Sequence, residues 1–495
     1  MSQPSSSSPR GSRRRGTGAV LAIVWSVLAL ACAPSPEGAP AAPATPPRHL
    51  ILITVDTLRG DHTSLLGYRR ETTPELARWA ADAVVFERAI AQWPKTGASF
   101  ASMFTGRYPQ STGLTHKAAL RVPPSLDLLP AMLQRQGFRT VGVVSNAVLS
   151  TELGWDRGFD EYLETWGDEL TEDPVEYRKL LWAGRVNELA LPLLERHRDA
   201  ERLFAWIHYS DPHAPYVLPA GVENPFLGDA LIAEEPRESV DLRGTRGKAI
   251  GDHRELAFYR AQYDANVRVA DRKIGELLER LESTGLLADA VVVFTADHGE
   301  SLGEHGSYFE HGPLPYNTTS LVPLFLRAPG RAPARRIAEP VALVDLLPTL
   351  LEWLLPGAEP VAAEGVSLLP TLVDGAGVPV RGGDRPLAFA EAGRPPRHYR
   401  SVQDRRWKLT FLEPAPGRPA SIDHYELYDL EADPLETTDL ASPDHPELAR
   451  LRRRLEAWRV AGPAATTSTA PRGEEELKAL RALGYLDEEP GGEDR

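Results

Sequence analysis

Apolar runs that stop abruptly on a polar residue recur along this chain. His49-Leu-Ile-Leu-Ile-Thr-Val is followed by Asp56, and Gly137 to Val144 runs into Ser145. Arg202 to Tyr209 runs into Ser-Asp-Pro-His213, and Ala288 to Ala296 runs into Asp297-His298. Val322 to Arg327 is a fifth run. Runs of this length, rich in Val, Ile and Phe, predict strands buried on both faces, as in a parallel sheet. Between them the period changes. Thr72-Thr73-Pro74-Glu75 has the cap and proline of a helix start, 174–198 is helical, and Glu255 to Ser283 places apolar residues at helical spacing. Val84 to Ala89 is a short extended segment. This alternation predicts an α/β domain over 48–373, a large, mostly parallel sheet flanked by helices. A Gly/Pro/Arg-rich boundary at 374–386 precedes three alternating segments, 399–403, 406–412 and 424–429, and a helix from Pro446 to Val460. They predict a smaller C-terminal antiparallel sheet plus helix over 386–486, with 461–473 loose and a last helix from Glu474 to Leu486.

The stretch Ala91 to Gly106 reads as a turn at Trp93-Pro94 and one short helix of small residues, stopped by Gly106 and Pro109. Thr96 falls at its N-terminus, where free amides and the helix dipole favour negative charge. A hydroxyl there is either an ordinary N-cap or a nucleophile.

Composition narrows the class. With 42 % hydrophobic and 25 % charged residues the chain is globular, and 495 residues can bury a large core. A net charge of −14 argues against nucleic acid as a partner. The single cysteine, Cys32, excludes an intramolecular disulfide and any cysteine nucleophile or ligand in the body of the chain. Residues 1–31 combine Arg13-Arg14-Arg15 with an apolar stretch from Ala19 to Ala31, which predicts an export signal. Small residues before Cys32 resemble a bacterial lipoprotein signal, so the chain is expected to be periplasmic or cell-surface, anchored by lipid at Cys32; plain signal cleavage is the alternative. Residues 32–47 read as a Pro/Ala-rich tether.

Three strand ends carry candidate chemistry: Asp56, His213 and the pair Asp297-His298. Ligands of open α/β sheets collect at those ends. Two carboxylates, an imidazole and the Thr96 hydroxyl make a donor set for one divalent cation, which would lower the hydroxyl pKa of Thr96.

From His49 to about Leu486 the chain resembles the sulfatase family of the alkaline-phosphatase-like superfamily. Val55-Asp-Thr-Leu-Arg-Gly-Asp61 is similar to the opening metal loop, and Ala101-Ser-Met-Phe-Thr-Gly-Arg-Tyr-Pro109 to the end of the nucleophile signature. His208-Tyr-Ser-Asp-Pro-His-Ala-Pro-Tyr216, Thr295-Ala-Asp-His-Gly-Glu300 and His305-Gly resemble later site loops. Val344 to Thr349, Arg406-Trp-Lys408 and Glu426 to Glu436 resemble the C-terminal part. The resemblance implies Asp56, Asp297 and His298 as metal ligands, Thr96 as nucleophile, and Lys117 and His311 as contacts to the substrate anion. It implies His213 at the transferred group or leaving oxygen, and His305 as a lesser anion contact. Calcium is the expected ion, with manganese or zinc as substitutes.

The chain departs from the family at the nucleophile. The family's Cys or Ser, oxidised to formylglycine and followed by Pro and Arg, is here Thr96, Ala98 and Phe100. Threonine cannot become that aldehyde, so no formylglycine is expected, and an intermediate on Thr96 must be cleaved by water attacking sulfur or phosphorus directly. The implied activity is hydrolysis of sulfate or phosphate esters, glycan esters included. Alternatives are a phosphodiesterase or phosphomonoesterase using the same site, and an inactive homologue that binds anions or glycans.

Overall fold

The apolar runs become the middle of a sheet because their side chains have no wet face to turn to. The computed structural model describes residues 45–115, 120–167, 174–234, 238–240, 248–381, 385–414 and 419–461. Its strands, in chain order, are β1 (His49–Val55), β2 (Val84–Ile90), β3 (Arg139–Val144), β4 (Glu161–Glu164), β5 (Leu203–Tyr209), β6 (Ala290–Ala296), β7 (Ser301–Leu302) and β8 (Tyr308–Glu310). They continue as β9 (Leu321–Arg327), β10 (Arg335–Ile337), β11 (Val341–Ala342), β12 (Ala388–Ala392), β13 (Tyr399–Gln403), β14 (Trp407–Leu412) and β15 (Tyr425–Asp429). Every residue of β1, β5 and β6 is buried.

The large sheet has the order β10-β2-β9-β6-β1-β5-β3-β4, with β11 also on β2. Its pairs are parallel except those of β9, which runs antiparallel to both β6 and β2. The fifth run is thus the one reversed strand of a mostly parallel sheet. β4, β10 and β11, short and at the margins, carry too little apolar sequence to be read in advance.

The 174–198 helix is two helices, Pro174–Leu181 and Ala183–Arg196. The break lies at Trp182, whose backbone is extended; the amide of Ala183 beyond it donates to Asp211 Oδ2 at 2.7 Å. The long amphipathic segment is one 28-residue helix, Leu256–Ser283. Its apolar stripe is buried, and it also buries Tyr263, Asp264 and Asp271. These reach across to the chain after β1: Tyr263 Oη accepts the Arg59 amide (2.9 Å) and donates to Thr57 O (2.7 Å), while Asp264 holds His62 Nδ1 (2.7 Å).

β12 to β15 form a separate four-stranded antiparallel sheet. The helix Pro446–Ala461 covers it through Leu448, Leu451 and Leu455, and their cluster takes in Ile90, Ala342 and Val344 from β2, β11 and the turn beyond. Two backbone hydrogen bonds tie the small sheet to the site: Glu391 N–H to Gln92 O (2.8 Å) and Gly393 N–H to Gly312 O (2.7 Å). No helix among the described residues is long and apolar enough to cross a membrane. The signal, Cys32, the tether up to Ala44, Lys117, the loose stretch from 462 and the Glu474–Leu486 helix lie outside the described residues.

Candidate active site

Register alone brings the acids together. Val55 of β1 is level with Ala296 of β6 on one side and Tyr209 of β5 on the other. The next residue on each strand is Asp56, Asp297 or Ser210, so three strand ends open at one height, with adjacent strands about 4.8 Å apart. Asp56, Asp297 and His298 each offer a ligand atom within 4.8 Å of the others, and all three are buried. His298 Nε2 lies 3.9 Å from Asp56 Oδ1 and 3.4 Å from Asp297 Oδ2.

The surroundings use up the other atoms of these three side chains. Asp297 Oδ1 accepts the amides of Thr57 (3.2 Å) and His298 (2.8 Å). Thr57 reaches that position with a left-handed backbone, φ 55°, a strain of about 1–3 kcal/mol held in place by Tyr263. Asp56 Oδ2 accepts the Asn146 amide, which stands just after β3. His298 Nδ1 is 2.9 Å from Gly299 O; a carbonyl only accepts, so the proton sits on Nδ1 and Nε2 presents a lone pair. Asp56 Oδ1 and Asp297 Oδ2 are left buried with no hydrogen-bond partner among the described residues. Burial, and then the charge of Asp297, push the Asp56 carboxyl well above its usual range; burial raises Asp297 too and drops His298 to about 3. Two unfilled carboxylate oxygens facing one imidazole lone pair are the donor set of a divalent cation, and these residues fit one.

Thr96 opens the Thr96–Thr105 helix, with Lys95 at the N-cap position and no side chain capping the amides. The N-cap reading of Thr96 therefore does not hold. Its hydroxyl instead stands 3.3 Å from His298 Nε2, and Ser99 Oγ of the same helix donates to Asp297 O at 2.6 Å, which fixes the helix on β6. Phe100 is buried against Phe104, Trp155, Trp206 and the edge of His208.

On the other side of His298 stand two further imidazoles, a glutamate and a lysine. His311 lies with its ring centre 4.4 Å from that of His298 and 5.4 Å from that of His213. Glu300 joins His311 Nδ1 (2.9 Å) to the Tyr216 hydroxyl (2.9 Å). His213 Nδ1 donates to Ala214 O at 2.6 Å, leaving Nε2 as the ring atom that exchanges a proton. Burial brings the Lys95 ammonium down to about 7, with the Arg394 and Lys248 charges adding to the effect. Gly312, at φ +100°, gives that chain its room, since a Cβ there would meet Lys95 Cε at 2.4 Å. A chain of net charge −14 thus gathers Lys95, Lys248 and Arg394 beside its histidines, an arrangement suited to an anion.

The structure therefore brings Asp56, Thr96, Asp297, His298, His213 and His311 to one place. It puts His305 elsewhere: that ring stacks on Tyr316 at 3.5 Å and its Nε2 faces Leu435 O at 3.1 Å. Sequence reasoning passed over Asn146, His208 and Arg178. Asn146 follows a buried strand, the same signal that singled out Asp56. His208 lies inside the third run, with Nδ1 3.0 Å from Thr54 Oγ1 and Nε2 4.0 Å from Asp56 Oδ2. Arg178 carries no local signal.

A family model described as Sulfatase matches residues 48–356. The choline-sulfatase of Rhizobium meliloti is 29 % identical over 269 residues, half of this chain and 48 % of that protein, so the chain spans about half the length of this relative. The multifunctional alkaline phosphatase superfamily protein PehA of Trinickia caryophylli is 28 % identical over 83 % of this chain and 95 % of its own. Among solved structures, the phosphonate monoester hydrolase SpPMH of Silicibacter pomeroyi superposes with a TM-score of 0.65 at 22 % identity, over 84 % of this chain and 96 % of that one.

Proposed function

The chain belongs to the sulfatase family, and on that premise we propose that it is a metal-dependent hydrolase of sulfate or phosphate esters that uses Thr96 as its nucleophile. The observation that carries the reading is the Thr96 hydroxyl, uncapped at a helix N-terminus, 3.3 Å from the imidazole of a three-residue ligand cluster. Asp56, Asp297 and His298, with Thr96 beside them, would hold the cation; calcium is the ion proposed, with manganese or zinc as substitutes. When bound, it supplies positive charge that lowers the hydroxyl pKa of Thr96 and attracts the ester's anionic group.

The chain's own residues do the rest. The open helix N-terminus, Lys95 and His311 orient the anion with its ester bond in line with Thr96 Oγ1. Thr96 gives up its hydroxyl proton to solvent before attack, and its oxygen then forms a bond to sulfur or phosphorus as the bond to the leaving oxygen breaks. His213, whose imidazolium burial disfavours until an anion stands beside it, takes up a proton at Nε2 with the ester bound and gives it to the leaving oxygen. Water then attacks sulfur or phosphorus and frees Thr96, while His213 takes up the water's proton. Threonine offers no second hydroxyl to expel the group, and this supports phosphate and phosphonate esters ahead of sulfates. The names of the relatives cover both classes. Export with lipid attachment at Cys32 is part of the proposal and rests on the sequence of residues 1–32 alone.

The test is Thr96→Ala, assayed on nitrophenyl sulfate, phosphate, phosphonate and phosphodiester with added calcium, manganese or zinc. Turnover is expected to fall at least 1,000-fold, on the order of loss of a covalent nucleophile, with metal content and thermal midpoint nearly unchanged. A variant as active as the parent removes Thr96 from the mechanism. An active parent also yields, on rapid quenching, a sulfuryl or phosphoryl adduct on the peptide containing Thr96.

A further inference from the structure

Phe100 stands where the sulfatase signature has arginine, and its ring is sealed in aromatic packing, so no guanidinium reaches the anion from that position. Another guanidinium reaches this end of the sheet from a different element. Arg178, in the helix Pro174–Leu181, is 1 % exposed. Its Nη2 donates to Asp211 Oδ1 at 2.6 Å, and Asp211 Oδ2 accepts the Ala183 amide at 2.7 Å. Asp211 belongs to the short loop that carries β5 into His213, and both its oxygens are engaged. Arg178 Nε and Nη1, however, are buried and donate to nothing among the described residues. Ser210 Oγ, next to Asp211, is likewise buried with no hydrogen-bond partner among the described residues.

An unfilled donor on a buried charged group is costly. If Arg178 served only to hold Asp211, two such donors would be left without purpose. Their position explains them. The Arg178 charge is felt at Asp56, where it opposes the upward shift of the carboxyl, and at His213, where it disfavours protonation. The geometry agrees: Asp211, which Arg178 holds at 2.6 Å, is two positions before His213, and the His213 ring centre is 5.4 Å from that of His311, so the guanidinium is tied to the loop that carries the leaving-group histidine.

We propose that Arg178 is the guanidinium that receives the tetrahedral anion in this chain, through the donors Asp211 does not use, taking from a different helix the part that Phe100 cannot play. Asp211 is the positioning residue that aims it. The proposal rests on the ester-hydrolase reading for the identity of the anion, and its test is one of binding as well as of turnover.

The full chain, loaded with its divalent cation, is titrated calorimetrically with inorganic phosphate and with inorganic sulfate, and the rise in thermal midpoint that each anion produces is recorded. The variants are Arg178→Lys and the double variant Arg178→Gln/Asp211→Asn, which leaves no lone buried charge. Losing a charge-assisted contact of this kind should weaken anion binding about 10- to 100-fold. The double variant should also lose the anion-induced rise in midpoint while its anion-free midpoint stays near that of the parent. Arg178→Lys keeps a charge for Asp211 but has no planar fork, and should show a smaller loss of affinity; it carries the test if the double variant does not fold. A double variant, or a folded Arg178→Lys, that binds both anions as tightly as the parent makes Arg178 a strut and overturns the proposal. If the parent binds an anion through Arg178 yet cleaves no ester, the assignment stands and the hydrolase reading falls. If the parent binds neither anion, both fall.

Discussion

At the scale of single residues, the site is a set of costs that a cation would offset. Asp56 and Asp297 are buried side by side, each with one oxygen unfilled, and both carboxyls are pushed upward by burial. Asparagine at 297 would keep the oxygen that accepts the Thr57 and His298 amides and would turn an NH2 towards Asp56. Asp297→Asn is therefore expected to stabilise the metal-free protein by roughly 1–3 kcal/mol, the cost of a second buried like charge. The order should reverse on adding the cation, which the variant binds weakly. Thermal midpoints of parent and variant, with chelator and with calcium, read both signs; a variant less stable than the parent in chelator contradicts the account.

At the scale of elements, polar residues on apolar faces do the aiming. The Leu256–Ser283 helix reads in sequence as a stripe of Leu, Ile, Val and Tyr, and that stripe is buried as expected. Its buried acids were not legible, because periodicity does not tell a cap from a solvated face. Asp271 is one of them: its two oxygens accept the amides of Glu75 (3.0 Å) and Leu76 (2.8 Å) at the start of the helix Pro74–Ala80. Burial raises this carboxyl to about 6 from a value near 3.8. Between those values the folded chain keeps a proton that the unfolded chain has released. The stability this lends is fully present below pH 4 and is lost as pH rises through 6. The gap corresponds to roughly 3 kcal/mol. Asp271→Asn holds no such proton, so its stability relative to the parent should rise by about that amount from pH 4 to pH 7. Urea midpoints across the range read it, and a difference that stays flat refutes it.

The whole molecule shows where sequence reading succeeds and where it stops. β1, β5 and β6 were legible because a strand buried on both faces has no polar alternation to confuse it, and Asp56, Asp297-His298 and His213, at or just past their ends, followed from the rule for strand termini. The reversed direction of β9 was not legible, since an apolar run is the same read either way. Arg178 was hidden for another reason: its partner Asp211 is 33 positions away, and nothing local marks it. Three strands of the C-terminal sheet were legible as antiparallel, but not its first strand, Ala388–Ala392, nor its ties to Gln92 and Gly312. Those ties, and the cluster shared with Ile90, Ala342 and Val344, place it in one compact unit with the large sheet from Thr45 onward. Calorimetry is expected to show one cooperative transition for both sheets. A chain ended at Arg381 should aggregate with that shared face bare, and a truncated chain that stays monomeric and folded would count against the shared core.

The aromatic box around Phe100 admits no charge. Trp155, Trp206 and Phe104 have closed over the place from which a signature arginine would extend. Phe100→Arg would set a charge among rings at a cost of several kcal/mol. The box would have to be rebuilt before an arginine could sit there, so no single substitution at position 100 supplies the missing guanidinium.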